Sequence, residues 1–231
     1  MKIVLIGYGK MGKAIEQMAL LQGHTIVGSF SNDSWDLEAL KAADVCVEFT
    51  QPAAALENIK KIAPLGKNLV IGTTGWYHRL EEVQELVNQH HIGLLYSPNF
   101  ALGVNIFHEL LNQASKLFNR FPEYDVAGIE YHHNQKKDSP SGFAGQMNEL
   151  IKRNMPRISE LPFSSVRCGH IVGKHTLLFD SPFDTITLTH EAKNRQGFAA
   201  GAVQAAEWLQ GKSGLFTFTD CIKNIFERNN K

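Results

Sequence analysis

Lys2-Ile3-Val4-Leu5-Ile6 runs directly into Gly7-Tyr8-Gly9-Lys10-Met11-Gly12, and no other stretch limits the fold as tightly. A continuous β-branched and aliphatic run suits a strand covered on both faces. The segment behind it has the spacing G-x-G-x-x-G, and Met11, Ile15, Met18 and Ala19 then recur at helical intervals until Gly23. In that strand–turn–helix setting each glycine has a separate reason. Gly7 permits the tight turn, Gly9 lets the backbone approach a pyrophosphate, and Gly12 lets the helix pack close to the strand. The helix start offers unpaired N–H groups and its positive dipole end to phosphates. The motif predicts a dinucleotide site built from Gly7, Tyr8, Gly9, Lys10, Met11 and Gly12; a glycine-rich turn that binds nothing is the alternative.

The same alternation continues. Thr25-Ile26-Val27, Asp44–Thr50, Leu69-Val70-Ile71 and Ile92–Tyr96 read as strands, separated by helical patterns around Leu40, Ala55–Ile62 and Leu80–Val87. Strands alternating with helices through tight connections imply right-handed crossovers and a parallel sheet. After Asn99 the pattern changes. A longer helix (Phe107, Leu110, Leu111, Ala114, Phe118) leads to a strand over Asp125–Tyr131, a polar loop over His132–Ser141 and a helix with Phe143, Met147 and Leu150 on one face. Val166-Arg167, Ile171–Phe179 and Thr185–His190 read as strands, the last alternating with threonines, as expected of a half-exposed antiparallel sheet. The fold class is therefore α/β: a Rossmann-type parallel-sheet domain plus an α+β domain with a mostly antiparallel sheet. The final segment reads as helical, through Phe198, Ala202, Ala206 and Leu209 and again over Thr219–Phe226.

In an open parallel sheet, ligands bind outside the carboxyl ends of the strands. Gly72, Thr73 and Thr74 end one strand and Ser97, Pro98, Asn99 and Phe100 end the next, so both loops are placed beside a nicotinamide. An acidic residue about twenty positions after the glycine motif would hold the adenine ribose hydroxyl and favour NADH. Asp33 and Asn32 both stand near that position. Lys10 can pair with a 2′-phosphate and admit NADPH, so the cofactor is read as NADH or NADPH.

The stretch Glu130–Gly142 crowds two histidines and two lysines ahead of a new helix. A cation beside an imidazole lowers its pKa and helps it give up a proton. Ser141 and Gly142, at the helix entrance, form a second anion cradle. Together with His133 and Lys136 they suit a small substrate bearing carboxylates. A solvated basic loop is the plainer reading. A metal site is not expected, because adjacent histidines diverge and no nearby cysteine or carboxylate completes a tetrahedral set.

Composition narrows the classes further. The 231 residues are 43% hydrophobic and carry 23 basic against 23 acidic side chains, a balance that argues against a nucleic-acid partner. No apolar run approaches the ~20 residues needed to cross a bilayer. The first strand begins at residue 2, which leaves no room for a secretory signal. Cys46, Cys168 and Cys221 are odd in number and far apart, and do not form a disulfide framework. These features lead to the expectation of a reduced, cytoplasmic protein with no membrane partner.

Taken together, the motifs resemble those of the dihydrodipicolinate reductase family, the nicotinamide-dependent enzymes of lysine biosynthesis. Glu130–Gly142 is similar to that family's E-x-H-H-x-x-K-x-D-x-P-S-G signature. Gly7–Gly12, Val45–Thr50, Gly72–Gly75, Asn99–Asn105, Gly169–Thr176, Thr189–Gly201 and Ala206–Asp220 match as well. The resemblance implies hydride transfer from NADH or NADPH to 4-hydroxy-tetrahydrodipicolinate, giving tetrahydrodipicolinate with loss of water. It implies catalytic roles for His132, as proton donor or acceptor, and for Lys136, as its proton-donating partner. It implies substrate contacts from His133, Ser141, Gly142 and Phe143. It also implies a cofactor domain of residues 1–103 completed by 199–231, a substrate and oligomerisation domain of 104–198, and a homotetramer formed through the second sheet. Two departures stand out: Phe143 replaces the threonine usual there, and the segment between Gly145 and Val166 is short. Another amino-acid dehydrogenase would share Gly7–Gly12 but has no need of the His-His-x-x-Lys loop. A nucleotide sensor would bind NADH and turn nothing over.

Overall fold

The computed structural model describes residues 1–31, 34–194 and 196–228. Asn32 and Asp33, which the sequence places at the cofactor ribose, lie outside the described residues. The chain divides into two compact units, Met1–Leu102 with Gln196–Lys231, and Gly103–Arg195.

The first unit is built on six parallel strands, β1 (Lys2–Ile6), β2 (Thr25–Phe30), β3 (Val45–Glu48), β4 (Asn68–Ile71), β5 (Gly93–Tyr96) and β10 (Gly214–Thr217), in the order β10-β5-β4-β3-β1-β2. Successive side chains point to opposite faces, and here both faces are apolar. Ile3, Leu5, Val45, Val47, Val70 and Leu95 point toward Ile15 and Ala19 of α1 (Lys10–Leu21), the alanines of α7 (Gln196–Trp208) and Phe218 and Ile222 of α8 (Phe218–Arg228). Val4, Ile6, Cys46, Leu69, Ile71 and Leu94 point toward α2 (Leu37–Ala42), α3 (Pro52–Ile62) and α4 (Leu80–His90). Burial on both sides explains why these strands read as unbroken hydrophobic runs. Strand order reverses at β1, so the carboxyl ends of β1 and β3 flank the crevice where such sheets take ligands. The sequence reading passed over β10: its four residues, all half-buried, carry no period.

The second unit has two helices, α5 (Leu102–Phe118) and α6 (Gly142–Asn154), and a sheet of β6 (Asp125–His132), β7 (Phe163–Arg167), β8 (Gly173–Asp180) and β9 (Thr185–Ala192), in the order β7-β6-β8-β9. The β6–β8 and β8–β9 pairs are antiparallel and the β6–β7 pair is parallel. The core joins Phe107, Leu111 and Phe118 of α5, Met147, Leu150 and Ile151 of α6, and Leu177 and Phe179 of β8, with Phe118 and Phe179 stacked at 4.2 Å. Leu110, expected inward, is 56% exposed, because the buried stripe of α5 runs through 104, 107, 111, 115 and 118.

Candidate active site

The glycine motif ends β1 and opens α1 as its spacing predicts. Gly7 has φ +93°, and a Cβ there would stand 2.1 Å from the Phe49 carbonyl oxygen. A Cβ on Gly12 would stand 2.3 Å from the Gly7 oxygen, whereas Gly9 faces open space. Gly9 is the N-cap of α1, no side chain caps it, and the first turn holds no acidic residue. The first N–H groups of this helix are thus available to an anion, which is the arrangement a dinucleotide pyrophosphate requires. A cleft of about 590 Å³ opens at this point, lined by Gly7, Tyr8, Gly9, Thr50 and Asn58 among others.

Lys10 is exposed at the first position of α1, and Met11 is half-buried behind it. The Tyr8 hydroxyl donates to Glu16. Gly72 and Thr73 follow β4, where a Cβ on Gly72 would fall within 2.0 Å of the Phe49 ring and Thr73 Oγ1 accepts from the Thr50 N–H at 2.8 Å. Thr74 and Pro98 are exposed. Ser97 donates to the Asn99 carbonyl at 2.8 Å, and Phe100 is buried against Phe49 and Phe218. Glu48, unremarked in the sequence, is fully buried at the end of β3 and accepts from Thr50 and Asn58. Burial raises its carboxyl against those hydrogen bonds, and it ties the loop after β3 to α3.

In the second unit, His132 is the last residue of β6 rather than part of a loop, and it is only 7% exposed. Its strand alternates, so Val126, Gly128, Glu130 and His132 share the buried face. Strand register then lines up Ser165 of β7, Glu130 of β6, His175 of β8 and His190 of β9 as successive partners in one row. Glu130 Oε1 accepts from the Ser141 N–H at 3.0 Å, Ser165 Oγ at 2.8 Å and Arg167 Nη2 at 2.9 Å. Oε2 stands 3.6 Å from His132 Nδ1 and 3.5 Å from His175 Nε2. The two imidazoles meet edge to face at 5.0 Å.

Burial alone would raise the Glu130 carboxyl, but the bonds from Ser141, Arg167 and Ser165 outweigh it and hold the group at about 2. Burial lowers His132, with Lys136 and Arg167 adding to the effect and Glu130 opposing it. His175 is pushed down to about 4 by burial and by His132. The sequence argument against a metal, that no carboxylate stands beside the histidines, is thereby corrected. One ligand atom from each of Glu130, His132 and His175 lies within 4.8 Å of the others. The guanidinium of Arg167, 2.9 Å from Glu130 Oε1, already gives that carboxylate one cationic partner.

Beyond β6, the Lys136 N–H donates to the His133 carbonyl at 3.2 Å, and the Lys136 ammonium pairs with Asp138 at 2.8 Å. The Asp138 carboxyl is held low by Lys136 first, with the Gly142 N–H contributing. The cradle at the start of α6 therefore attracts a carboxylate. Ser141 caps that helix through the Ala144 N–H and lies 3.2 Å from His175 Nε2. Phe143 turns its ring onto His175 at 5.0 Å and 87°. The sequence named no role for Glu130, Arg167 or His175. The available signal was a charged or polar residue at a buried position of strand alternation.

Comparison with known proteins agrees over both units. The family model described as dihydrodipicolinate reductase, N-terminus, matches residues 1–100, and the one described as dihydrodipicolinate reductase, C-terminus, matches residues 103–222. The 4-hydroxy-tetrahydrodipicolinate reductase of Christiangramia forsetii is 36% identical over 98% of this chain and 100% of its own length. That of Methanoregula boonei is 34% identical over 96% of this chain and 97% of its own. The solved structure of the dipicolinate-bound dihydrodipicolinate reductase from Paenisporosarcina sp. TG-14 shares the fold, with a TM-score of 0.81 at 23% identity over 94% of this chain and 97% of that one. With both halves matched in order and two relatives above 30% identity over nearly their full length, the chain belongs to the dihydrodipicolinate reductase family.

Proposed function

We propose that this chain reduces 4-hydroxy-tetrahydrodipicolinate to tetrahydrodipicolinate with loss of water, in the diaminopimelate route to lysine, at the expense of NADH or NADPH. The observation that carries this reading is the buried His132 beside a helix-start carboxylate cradle, in a chain of this family. When bound, the nicotinamide supplies the hydride. Gly7, Gly9 and Gly12 bring backbone N–H groups to its pyrophosphate, and Tyr8, Lys10 and Met11 border that loop. Asn32 and Asp33 are assigned to the adenine ribose. Gly72, Thr73 and Thr74, with Ser97, Pro98, Asn99 and Phe100, form the loops on the nicotinamide side.

His132 exchanges a proton with the substrate. Lys136 supplies the second proton, for which its ammonium must leave Asp138. His133, Ser141, Gly142 and Phe143 hold the dicarboxylate, chiefly through N–H groups at the start of α6, where a carboxylate is stabilised by unpaired donors and the helix dipole. We assign the protein to the cytoplasm and to a homotetramer. Among the described residues no helix is long and apolar enough to cross a membrane.

The test is direct: supply freshly generated substrate to the purified protein and follow NADH and NADPH oxidation separately. Both cofactors should serve. His132→Ala and Lys136→Ala should each cut kcat by ~10²–10⁴-fold, the usual cost of a lost proton donor, with NADH affinity nearly unchanged. Because His132 is buried, the melting curve of its variant must be recorded alongside. No oxidation of either cofactor, or full turnover in a folded His132→Ala protein, would overturn the assignment.

A further inference from the structure

Glu130 is the most heavily bonded buried charge in the second unit. Three donors from two elements converge on Oε1, namely the Ser141 N–H at the start of α6 and Ser165 and Arg167 of β7. These leave the carboxylate no freedom to rotate. Oε2 has no hydrogen-bond partner and stands between two imidazoles, 3.6 Å from His132 Nδ1, itself unpartnered, and 3.5 Å from His175 Nε2. On the other side of the ring, Gly173 of β8 carries no side chain, and a Cβ there would lie 3.2 Å from His132 Nε2. One nitrogen thus faces a fixed anion and the other faces space that a glycine keeps clear.

We propose that Glu130 is the positioning residue for His132: its Oε2 takes the Nδ1–H side of the ring and leaves Nε2 as the nitrogen that trades a proton with substrate. This rests on the reading of His132 as the proton-exchanging group. The nitrogen that carries the hydrogen in a neutral imidazole is set by the partner of the other nitrogen. An oriented carboxylate therefore excludes the tautomer that would place the lone pair on Nδ1. When the imidazolium acts as acid, the N–H bond at Nε2 breaks, the proton goes to substrate, and the ring remains neutral with its hydrogen on Nδ1. Contacts of this kind are often long before substrate binds and shorten in the complex, which suits a 3.6 Å approach.

The surrounding charges fit this role. Facing His132 are Glu130 on its own strand, Lys136 and Asp138 from the following turn, Arg167 from β7 and His175 from β8, with Ser141 at the start of α6 and His190 next in the row on β9. Glu130 is the anion closest to the ring and works against the burial, Lys136 and Arg167 that favour neutral imidazole. Without it, the ring would hold its proton less well.

Glu130→Gln keeps the shape and an acceptor for Ser141 and Ser165 while removing the charge. We expect kcat to fall at least ~10-fold, within the ~10²–10⁴-fold ceiling of a proton donor. KM and NADH affinity should stay within about two-fold, and the pH limb belonging to His132 should move to lower pH. Glu130→Asp should recover part of the rate. If Glu130→Gln unfolds, the wild-type protein still decides the matter. Nitrogen NMR of labelled histidines, with His132 assigned by its loss in His132→Ala, should show the Nδ1–H tautomer, and an Nε2–H tautomer overturns the proposal. A folded Glu130→Gln with wild-type kcat and pH profile overturns it too. If His132→Ala remains fully active, the proton-donor reading fails first, which separates the two failures. A wild-type rate that rises on chelation would assign the trio to a bound cation instead, and would also overturn the proposal.

Discussion

Phe143 sits at the second position of α6, where the resembled pattern carries threonine. Its ring stands edge-on to His175 at 5.0 Å and lies 6.3 Å from Phe107, and it packs on the apolar core of the second unit. The ring thus shields His175 from water, while the helix-start N–H groups do not depend on the side chain at all. The proposed recognition through the backbone is untouched by the ring, and one hydroxyl is missing. A hydrogen bond to a charged group contributes ~1.5–3 kcal/mol, which is about 10- to 100-fold in affinity. Phe143→Thr is therefore expected to lower KM for the dicarboxylate by up to that factor and to leave NADH affinity unchanged. Removing a half-buried ring should also lower stability by roughly 1–2 kcal/mol, visible as a lower urea midpoint. An unchanged KM in a folded variant would show that position 143 does not face the substrate.

At the scale of elements, one helix contact matters most for the cofactor loops. Gly201 of α7 lies so close to the loop after β5 that a Cβ there would stand 1.8 Å from the Phe100 carbonyl oxygen. The obstacle is backbone, which cannot swing aside as a side chain can. Gly201→Ala should displace the Ser97–Phe100 loop, weaken NADH and NADPH binding together, and cost ~1–3 kcal/mol as overpacking usually does. Fluorescence titration with each cofactor, beside a melting curve, checks this; unchanged affinity would mean that the loop does not contact the cofactor. The elements themselves were legible in the sequence to very different degrees. Strands β1, β3, β4 and β5 announce themselves because burial on both faces makes each an unbroken apolar run ended by glycine or a polar turn. β10 is half-buried throughout, and β7, alternating half-buried and exposed, shows only Val166-Arg167. His132 reads as loop because the buried slots before it hold Gly128 and Glu130, so hydrophobicity cannot display the period of two. Its neighbours Arg167 and His175 come from other strands. Their meeting depends on pairing register, which no local pattern records.

At the scale of the whole molecule, the two sheets are finished differently. The parallel sheet is covered by helices on both faces. In the second unit, α5 and α6 cover one face, and the opposite face carries half-buried Ile129, Tyr131 and Leu178, with Val166 37% exposed. Thr176 and Thr189 meet there at 3.0 Å. Four strands about 4.8 Å apart and at most eight residues long present a face of roughly 500 Å². A standard stable interface takes about 800 Å² from each partner, so the sheet alone falls short. The shortfall points to the β8–β9 turn, where Phe183 is 87% exposed. A net charge of zero puts no long-range repulsion in the way of self-association. The homotetramer proposed for this chain should therefore form through this face with help from that turn. Light scattering on the eluting protein should give about four chain masses. Val166→Glu combined with Leu178→Glu should reduce that mass, because opposed sheets would bury like charges without partners. Phe183→Ser should weaken the assembly less and in a concentration-dependent way. Far-UV circular dichroism and NADH affinity should hold steady in both variants, since all three positions belong to the second unit. A wild-type protein that elutes as a monomer at every concentration would refute the assembly and leave that face to another partner.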